Sequence, residues 1–219
     1  MNEQENNNSA REQLLDAGLA LFSEHGFDGT SVRMLAEKAN TNVAMVSYYF
    51  GSKEKLLEAV LTEKTAYVRE QLHLLTSDKN INAWVKFELV VDTFVDRIML
   101  SEGKFHKLMM REISLGTRST IVKLIEEKIS YNMNAIRSLV SEGLEQKIFR
   151  EDIDFAMLLG TLFGTITQVT MSAGLFARWC TIESGGKAPS TEETRERAKK
   201  HLKTLFARYM LLDPKKFNY

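Results

Sequence analysis

Proline is almost absent from this sequence, which has two prolines and 12 glycines among 219 residues. A many-stranded sheet needs a turn about every 8 to 12 residues, and turns depend heavily on these two residue types. Long helices need far fewer of them. We therefore predict an all-α protein.

Cysteine occurs once, at Cys180, so no disulfide can form within the chain. The opening residues, MNEQENNNSAREQ, also lack the basic and then apolar pattern of a secretory signal. Together these two features predict a cytoplasmic protein.

Groupings typical of enzymes are missing as well. The four histidines, His25, His73, His106 and His201, are scattered, with no pair at metal-ligand spacing and no HExxH motif. No glycine-rich phosphate loop occurs. We predict no catalytic site, no metal and no cofactor.

An excess of positive charge, the usual sign of nucleic-acid binding, is absent too. The formal net charge is zero, and residues 1–64 hold six basic and ten acidic side chains. Residues 30–56 differ locally, with four basic and two acidic side chains. Any contact with phosphate must therefore come from a few well-placed groups.

Three helices are predicted near the N-terminus, after a flexible tail over residues 1–8. The first starts at a Ser9 cap, carries an apolar stripe through Leu14 and Leu21, and ends at HGFDG. The second, VRMLAEKA, is capped by Thr30 or Ser31. Asn40 to Asn42 form a turn, and the third helix runs from about Val43 to Phe50.

Two short helices joined by a tight turn, after a longer one, predict a helix-turn-helix. The third helix carries Tyr48 and Tyr49, whose hydroxyls can reach phosphate without adding charge. Lys53 is expected in the first turn of the next helix, where phosphate is favoured. A plain helical hairpin, with one tyrosine in the core, is the alternative on spacing alone.

The segments GFDGTSVRMLAEKA and VSYYFGSKEKLLEAV together resemble the DNA-binding segment of the TetR family, over about residues 10–60. The sequence departs from that family pattern at Asn40, Thr41 and Ser47. Arginine with guanine and asparagine with adenine are the best-matched base pairings. The resemblance implies that these positions face DNA: Arg33, Thr41, Asn42, Met45, Ser47, Tyr48, Tyr49 and Lys53.

The resemblance also implies a division into a DNA-binding domain over residues 1–52 and a helical effector-binding and dimerisation domain over residues 53–219. A small effector would bind among apolar side chains with few polar groups. The same residues can equally fill a core. The candidates are Trp84, Phe87, Phe94, Met99, Phe105, His106, Met109, Met110 and Phe163.

The segment Phe155 to Ala177 is 23 residues long and has no charge. That length could span a bilayer, but several threonines and the lack of one-sided basic flanks argue against a membrane span. A helix that is apolar all round must be covered on all sides, so we predict a homodimer formed by this segment and the final helix. The candidate contact residues are Gly160, Gly164, Thr167, Met171, Leu205 and Tyr209.

Two hypotheses follow. The favoured one is a dimeric regulator, most simply a repressor, released from a palindromic double-stranded DNA operator by a small hydrophobic effector. The alternative is a helical ligand-binding or assembly protein that no longer binds DNA.

Overall fold

The structure is a computed structural model that describes residues 3–100, 103–115 and 119–219. Over these residues the chain forms ten α-helices and one short 3-10 helix, Pro214–Phe217, with no β-strand. The all-α prediction is confirmed. The helices are α1 Glu3–His25, α2 Val32–Lys38, α3 Val43–Phe50, α4 Lys53–Ser77, α5 Ala83–Leu100, α6 Lys104–Leu115, α7 Ser119–Glu145, α8 Phe155–Met171, α9 Ala173–Ser184 and α10 Thr191–Met210.

The first helix starts earlier than the sequence predicts. It begins at Glu3, whereas the prediction was a flexible tail over residues 1–8 and a cap at Ser9. Residues 1 and 2 lie outside the described residues. The predicted start was late because it was taken from the apolar stripe, and the residues before Ser9 are polar and do not continue that stripe.

Two compact units divide the chain. The first combines Met1–Tyr67 with Lys104–Ser130, and the second combines Val68–Gly103 with Tyr131–Tyr219. The first unit is larger than residues 1–52 because α6 packs on α1, and because Leu108, Ile121 and Ile125 join its core. The predicted domain boundary at residue 52 stays a prediction.

The second unit is built around α5, which packs against α8 and α10. Trp84 is 1% exposed and stacks on Phe87 with 6.1 Å between ring centroids. The rings of Phe149, Phe217 and Tyr219 meet Trp84 edge-on. This aromatic cluster fills the core at the start of α5.

The uncharged segment is two helices and not one, which corrects the prediction. The chain breaks at Ser172, and α8 and α9 meet at a 90° bend. The hydroxyls of Thr167 and Thr170 donate to the carbonyls of Phe163 and Ile166, a pattern that bends helices. Within the described ranges no single helix is long and apolar enough to cross a membrane, and α8 with α9 meets that test only as a bent pair.

Candidate nucleic-acid interface

The helix-turn-helix forms as the sequence predicts, because each end carries its own capping signal. The Ser31 side chain accepts from the Met34 N–H and starts α2. Asn40 has a left-handed φ of 50°, and the Thr41 N–H bonds the Ala36 carbonyl at 2.9 Å, which closes α2 in a Schellman turn. Helix α2 then packs against α3.

The inner faces of the two short helices join the core of the first unit. Leu35, Ala36, Val46 and Phe50 are all buried there. The small side chain of Ala36, 2% exposed, allows the close approach of α2 and α3. The opposite face of α3 is thereby fixed outward.

That outward face of α3 is uncharged. Tyr48 is 69% exposed, and Ser47 and Ala44 are exposed beside it. Val43, in the first turn, is 48% exposed although it is apolar. We define the outward face as Val43, Ala44, Ser47 and Tyr48.

The paired tyrosines take different positions. Tyr49 is half-buried and packs on the core of the first unit, whereas Tyr48 points outward, and their rings meet edge-on with centroids 5.0 Å apart. Met45 is also half-buried against that core. A phenol supported by a fixed ring loses little entropy when its hydroxyl binds a partner.

Asn42 is the N-cap of α3. Its Oδ1 accepts from the Met45 N–H at 3.1 Å, and the residue is exposed. A bidentate pair with adenine needs this same oxygen as an acceptor, together with the amide NH2 as a donor. The geometry therefore favours a capping role for Asn42 over base readout.

Lys53 points inward, unlike the position that the resemblance implied. Its Nζ donates to the carbonyls of Phe27 at 2.8 Å and Thr30 at 2.7 Å. The ammonium also lies 4.2 Å from the centroid of the Phe27 ring. With these partners, the charge of Lys53 stabilises the turn before α2 and does not extend toward an external phosphate.

The helices before and after α3 each carry an exposed basic residue. Arg33 on α2 is exposed, as predicted, and Thr41 is half-buried. Lys55, in the first turn of α4, is exposed and adds a cation that the sequence-based set omitted. Val43, Ala44 and Lys55 were missed because the predicted set followed the positions of the family motif. Val43 lies three residues before buried Val46, so helical phase alone would place it on the inner side, whereas in the first turn of α3 it is exposed.

A family model and two similar proteins indicate the same class of DNA-binding regulator. The family model described as "Bacterial regulatory proteins, tetR family" matches residues 14–60. The probable HTH-type transcriptional regulator YttP of Bacillus subtilis (strain 168) is 27% identical over 147 residues, covering 64% of this chain and 67% of that protein. The HTH-type transcriptional repressor NicS of Pseudomonas putida is 26% identical over 144 residues, covering 65% and 67%.

Residues 14–60 therefore match a TetR-family DNA-binding segment. The chain is a transcriptional regulator with a DNA-binding helix-turn-helix head. The fold is also that of the Bacillus subtilis regulator FadR in complex with stearoyl-CoA, with a TM-score of 0.62, 19% identity and coverage of 87% of this chain and 96% of that one.

The predicted effector residues are divided between the two units. Trp84, Phe87, Phe94, Met99 and Phe163 belong to the second unit, and Phe105, His106, Met109 and Met110 belong to the first. Trp84 and Phe87 are fully buried in the aromatic cluster, and Phe94 meets Phe163 edge-on at 5.1 Å. Met99 lines a cavity of about 300 Å³ in the second unit. The assignment of these residues to an effector stays a prediction.

His106 is the buried histidine of α6, 1% exposed. Burial lowers the pKa of its imidazole below the usual value. The ring is therefore neutral at pH 7.

The predicted dimerisation residues lie on α8 and α10. A Cβ placed on Gly160 or Gly164 would meet nothing within 4 Å, and Met171 is 47% exposed. Leu205 and Tyr209 are half-buried, and the Tyr209 hydroxyl accepts from the Asp154 N–H at 2.9 Å. Thr167 bonds the Phe163 carbonyl of its own helix. Dimer contact at these positions stays a prediction.

Proposed function

We propose that this protein is a TetR-family repressor that binds a palindromic operator as a homodimer in the bacterial cytoplasm and is released by a small hydrophobic effector. The observation that carries the proposal is the outward face of α3, which presents Val43, Ala44, Ser47 and Tyr48 on a helix held rigidly by its own caps. A recognition helix inserts such a face into the major groove. The relative NicS, a repressor by name, favours repression over activation.

The composition of this face indicates how it recognises DNA. Tyr48 and Ser47 supply hydroxyls for phosphate or base edges, and exposed Arg33 is the best match for guanine. Lys55 supplies the positive charge near the start of α4. We therefore assign the DNA contacts to Arg33, Ser47, Tyr48 and Lys55. Asn42 and Lys53 instead stabilise the structure of the helix-turn-helix.

Val43 and Ala44 fit the thymine methyl group, which is the apolar feature of the major groove. We expect that replacing thymine by uracil at one position of each half-site, which removes only this methyl, weakens binding by about 1 kcal/mol. The same replacement should have little effect on a Val43→Ser variant. Titration of matched thymine and uracil duplexes measures the difference, and an equal loss in parent and variant would contradict the assignment.

Dimerisation is supported by the exposed apolar side chains of α8 and α9. Met157 is 64% exposed, Trp179 is 49% exposed and Ile182 is 80% exposed. A groove of about 460 Å³ is formed by residues of α8 and α10 and is lined by Met157, Leu158, Thr161, Leu205, Phe206, Arg208 and Tyr209. A second copy would cover this surface and hold two heads at the spacing of one duplex turn, about 34–36 Å.

A hydrophobic effector is supported by the cavity in the second unit. It is lined by apolar side chains and threonine hydroxyls, with no charged residue among Met99, Val169, Thr170, Ala173, Phe176, Ala177, Pro189, Thr191 and Thr194. Its volume of about 300 Å³ suits a small ligand or part of an acyl chain. The similar fold of FadR holds stearoyl-CoA, which makes acyl compounds the first ligands to test.

The direct test is selection of bound duplexes from a random pool. We expect an enriched palindrome with half-sites about 10 base pairs apart, centre to centre. Acyl ligands are then added to the complex of protein and selected duplex, and release is measured. A pool without enrichment would favour a helical protein that no longer binds DNA.

A further inference from the structure

The end of α1 is bound by a side chain from α6. Arg111 donates from its two terminal nitrogens to the carbonyls of Glu24 and His25, each at 3.1 Å. These are among the last carbonyls of α1, which have no partner within the helix. A guanidinium at this end also meets the negative pole of the helix dipole.

The next residue of α6 binds the turn that follows. Glu112 is 6% exposed, and its Oε1 accepts from the Phe27 N–H at 2.9 Å. Gly26 has a φ of +76°, and a Cβ there would lie 2.7 Å from the Arg111 Nε. The close approach of α6 to this point of the chain therefore requires glycine.

Lys53 binds the same turn from the start of α4. Its ammonium bonds the carbonyls of Phe27 and Thr30, so the turn is bonded by side chains of two different helices. The Thr30 hydroxyl closes the turn internally by donating to the Gly26 carbonyl at 2.8 Å. We call residues 26–30 with these bonds the α1–α2 turn.

We propose that Arg111 and Glu112 are positioning residues of the DNA-binding head, through which α6 sets the direction in which α2 and α3 leave α1. The proposal rests on the proposed function for its effect on DNA. It follows from the order of the chain, because α2 begins directly after the α1–α2 turn. Arg111 and Glu112 are adjacent in α6, so one helix binds both the end of α1 and the turn that follows it.

The first measurement compares binding to two duplexes. One is the selected palindrome, and the other has one base pair inserted between its half-sites. For Glu112→Ala and Arg111→Ala we expect the preference for the original spacing to fall by about fivefold or more, the lower end of typical coupling between sites. Glu112→Gln keeps an oxygen that accepts from the Phe27 N–H, and we expect it to retain the parent's preference.

Two outcomes separate positioning from simple loss of folded protein. A merely destabilised variant loses affinity for both duplexes by the same factor, so an unchanged spacing preference in both alanine variants would overturn the proposal. Glu126→Ala is the matched control, because it removes an exposed carboxylate from α7 in the same unit. That variant should bind as the parent does.

The second measurement is amide hydrogen exchange of the protein without DNA. We expect Arg111→Ala to speed exchange across α2 and α3, while α10 exchanges as in the parent. Faster exchange confined to the end of α1 and the α1–α2 turn would overturn the proposal, because the turn would then be loosened without affecting the head. This result decides the proposal even where selection recovers no operator, which would instead contradict the proposed function.

Discussion

Lys53 is a residue whose charge is already satisfied inside the protein. Its ammonium has two carbonyl partners and a ring beneath it, all in the turn before α2. Lys55, two residues later, is exposed. We therefore expect the two lysines of the segment SKEK to have different roles: Lys53 stabilises the turn before α2, and Lys55 is available to an external partner.

Replacing each lysine by alanine distinguishes a role in stability from a role in DNA binding. We expect Lys53→Ala to lower the free energy of unfolding by about 1–3 kcal/mol, because two carbonyls lose their partner. The salt dependence of its operator binding should match the parent's. Lys55→Ala should leave stability within about 0.5 kcal/mol of the parent and lower the salt slope by about 1.

Chemical denaturation and binding at several salt concentrations provide both quantities. The opposite pattern, a reduced slope for Lys53→Ala and an unchanged slope for Lys55→Ala, would show that Lys53 contacts phosphate in the complex.

Asn42 poses a similar choice between capping and base readout. Asn42→Ala removes the cap of α3 and should cost about 1 kcal/mol of stability. Asn42→Ser keeps a capping oxygen but has no amide to pair with adenine. We expect selection with Asn42→Ser to recover the parent's palindrome, whereas relaxed preference at one base position would show that Asn42 contacts that base.

The sequence placed Ser47 and Tyr48 on the outward face, but it did not predict which exposed residues contact an external partner. Helical phase alone places Tyr48 opposite Val46 and Phe50, and it places Ser47 at the edge of the exposed side. The direction of a lysine side chain depends instead on distant acceptors, here carbonyls 26 and 23 residues before Lys53. No local pattern encodes that pairing.

At the scale of elements, the helix-turn-helix was predictable because its boundaries are local. Each of three helices begins at a side-chain cap that is visible in the local sequence: Ser31 for α2, Asn42 for α3, and the Ser190 to Glu193 capping box for α10. The break at Ser172 was not predictable from the apolar pattern, which continues unbroken from α8 into α9. Only the bonds of Thr167 and Thr170 to their own helix suggest a bend.

The turn between α2 and α3 tests the local account. Asn40 holds a left-handed conformation that alanine adopts at a cost of roughly 1–2 kcal/mol and glycine adopts freely. We expect Asn40→Ala to be less stable than the parent and Asn40→Gly to be at least as stable. Lys38→Ala, an exposed change on α2, is the control for thermal denaturation. Equal stability of the alanine and glycine variants would contradict the strain argument.

At the scale of the whole molecule, the proposed operator recognition requires two DNA-binding heads. One outward face contacts only a few base pairs, so discrimination requires a second copy at a fixed separation. We expect the exposed apolar residues of α8 and α9 to supply the surface for that copy. Gly164→Leu should fold normally, because its Cβ meets nothing within 4 Å, yet it should block close approach of a partner helix.

Sedimentation equilibrium of the protein, alone and with its selected duplex, tests the central claim most directly. The account predicts a dimer without DNA, two chains per palindromic duplex, and a monomer with much weaker binding for Gly164→Leu. A parent protein that sediments as a single chain and binds the duplex one chain at a time would contradict it.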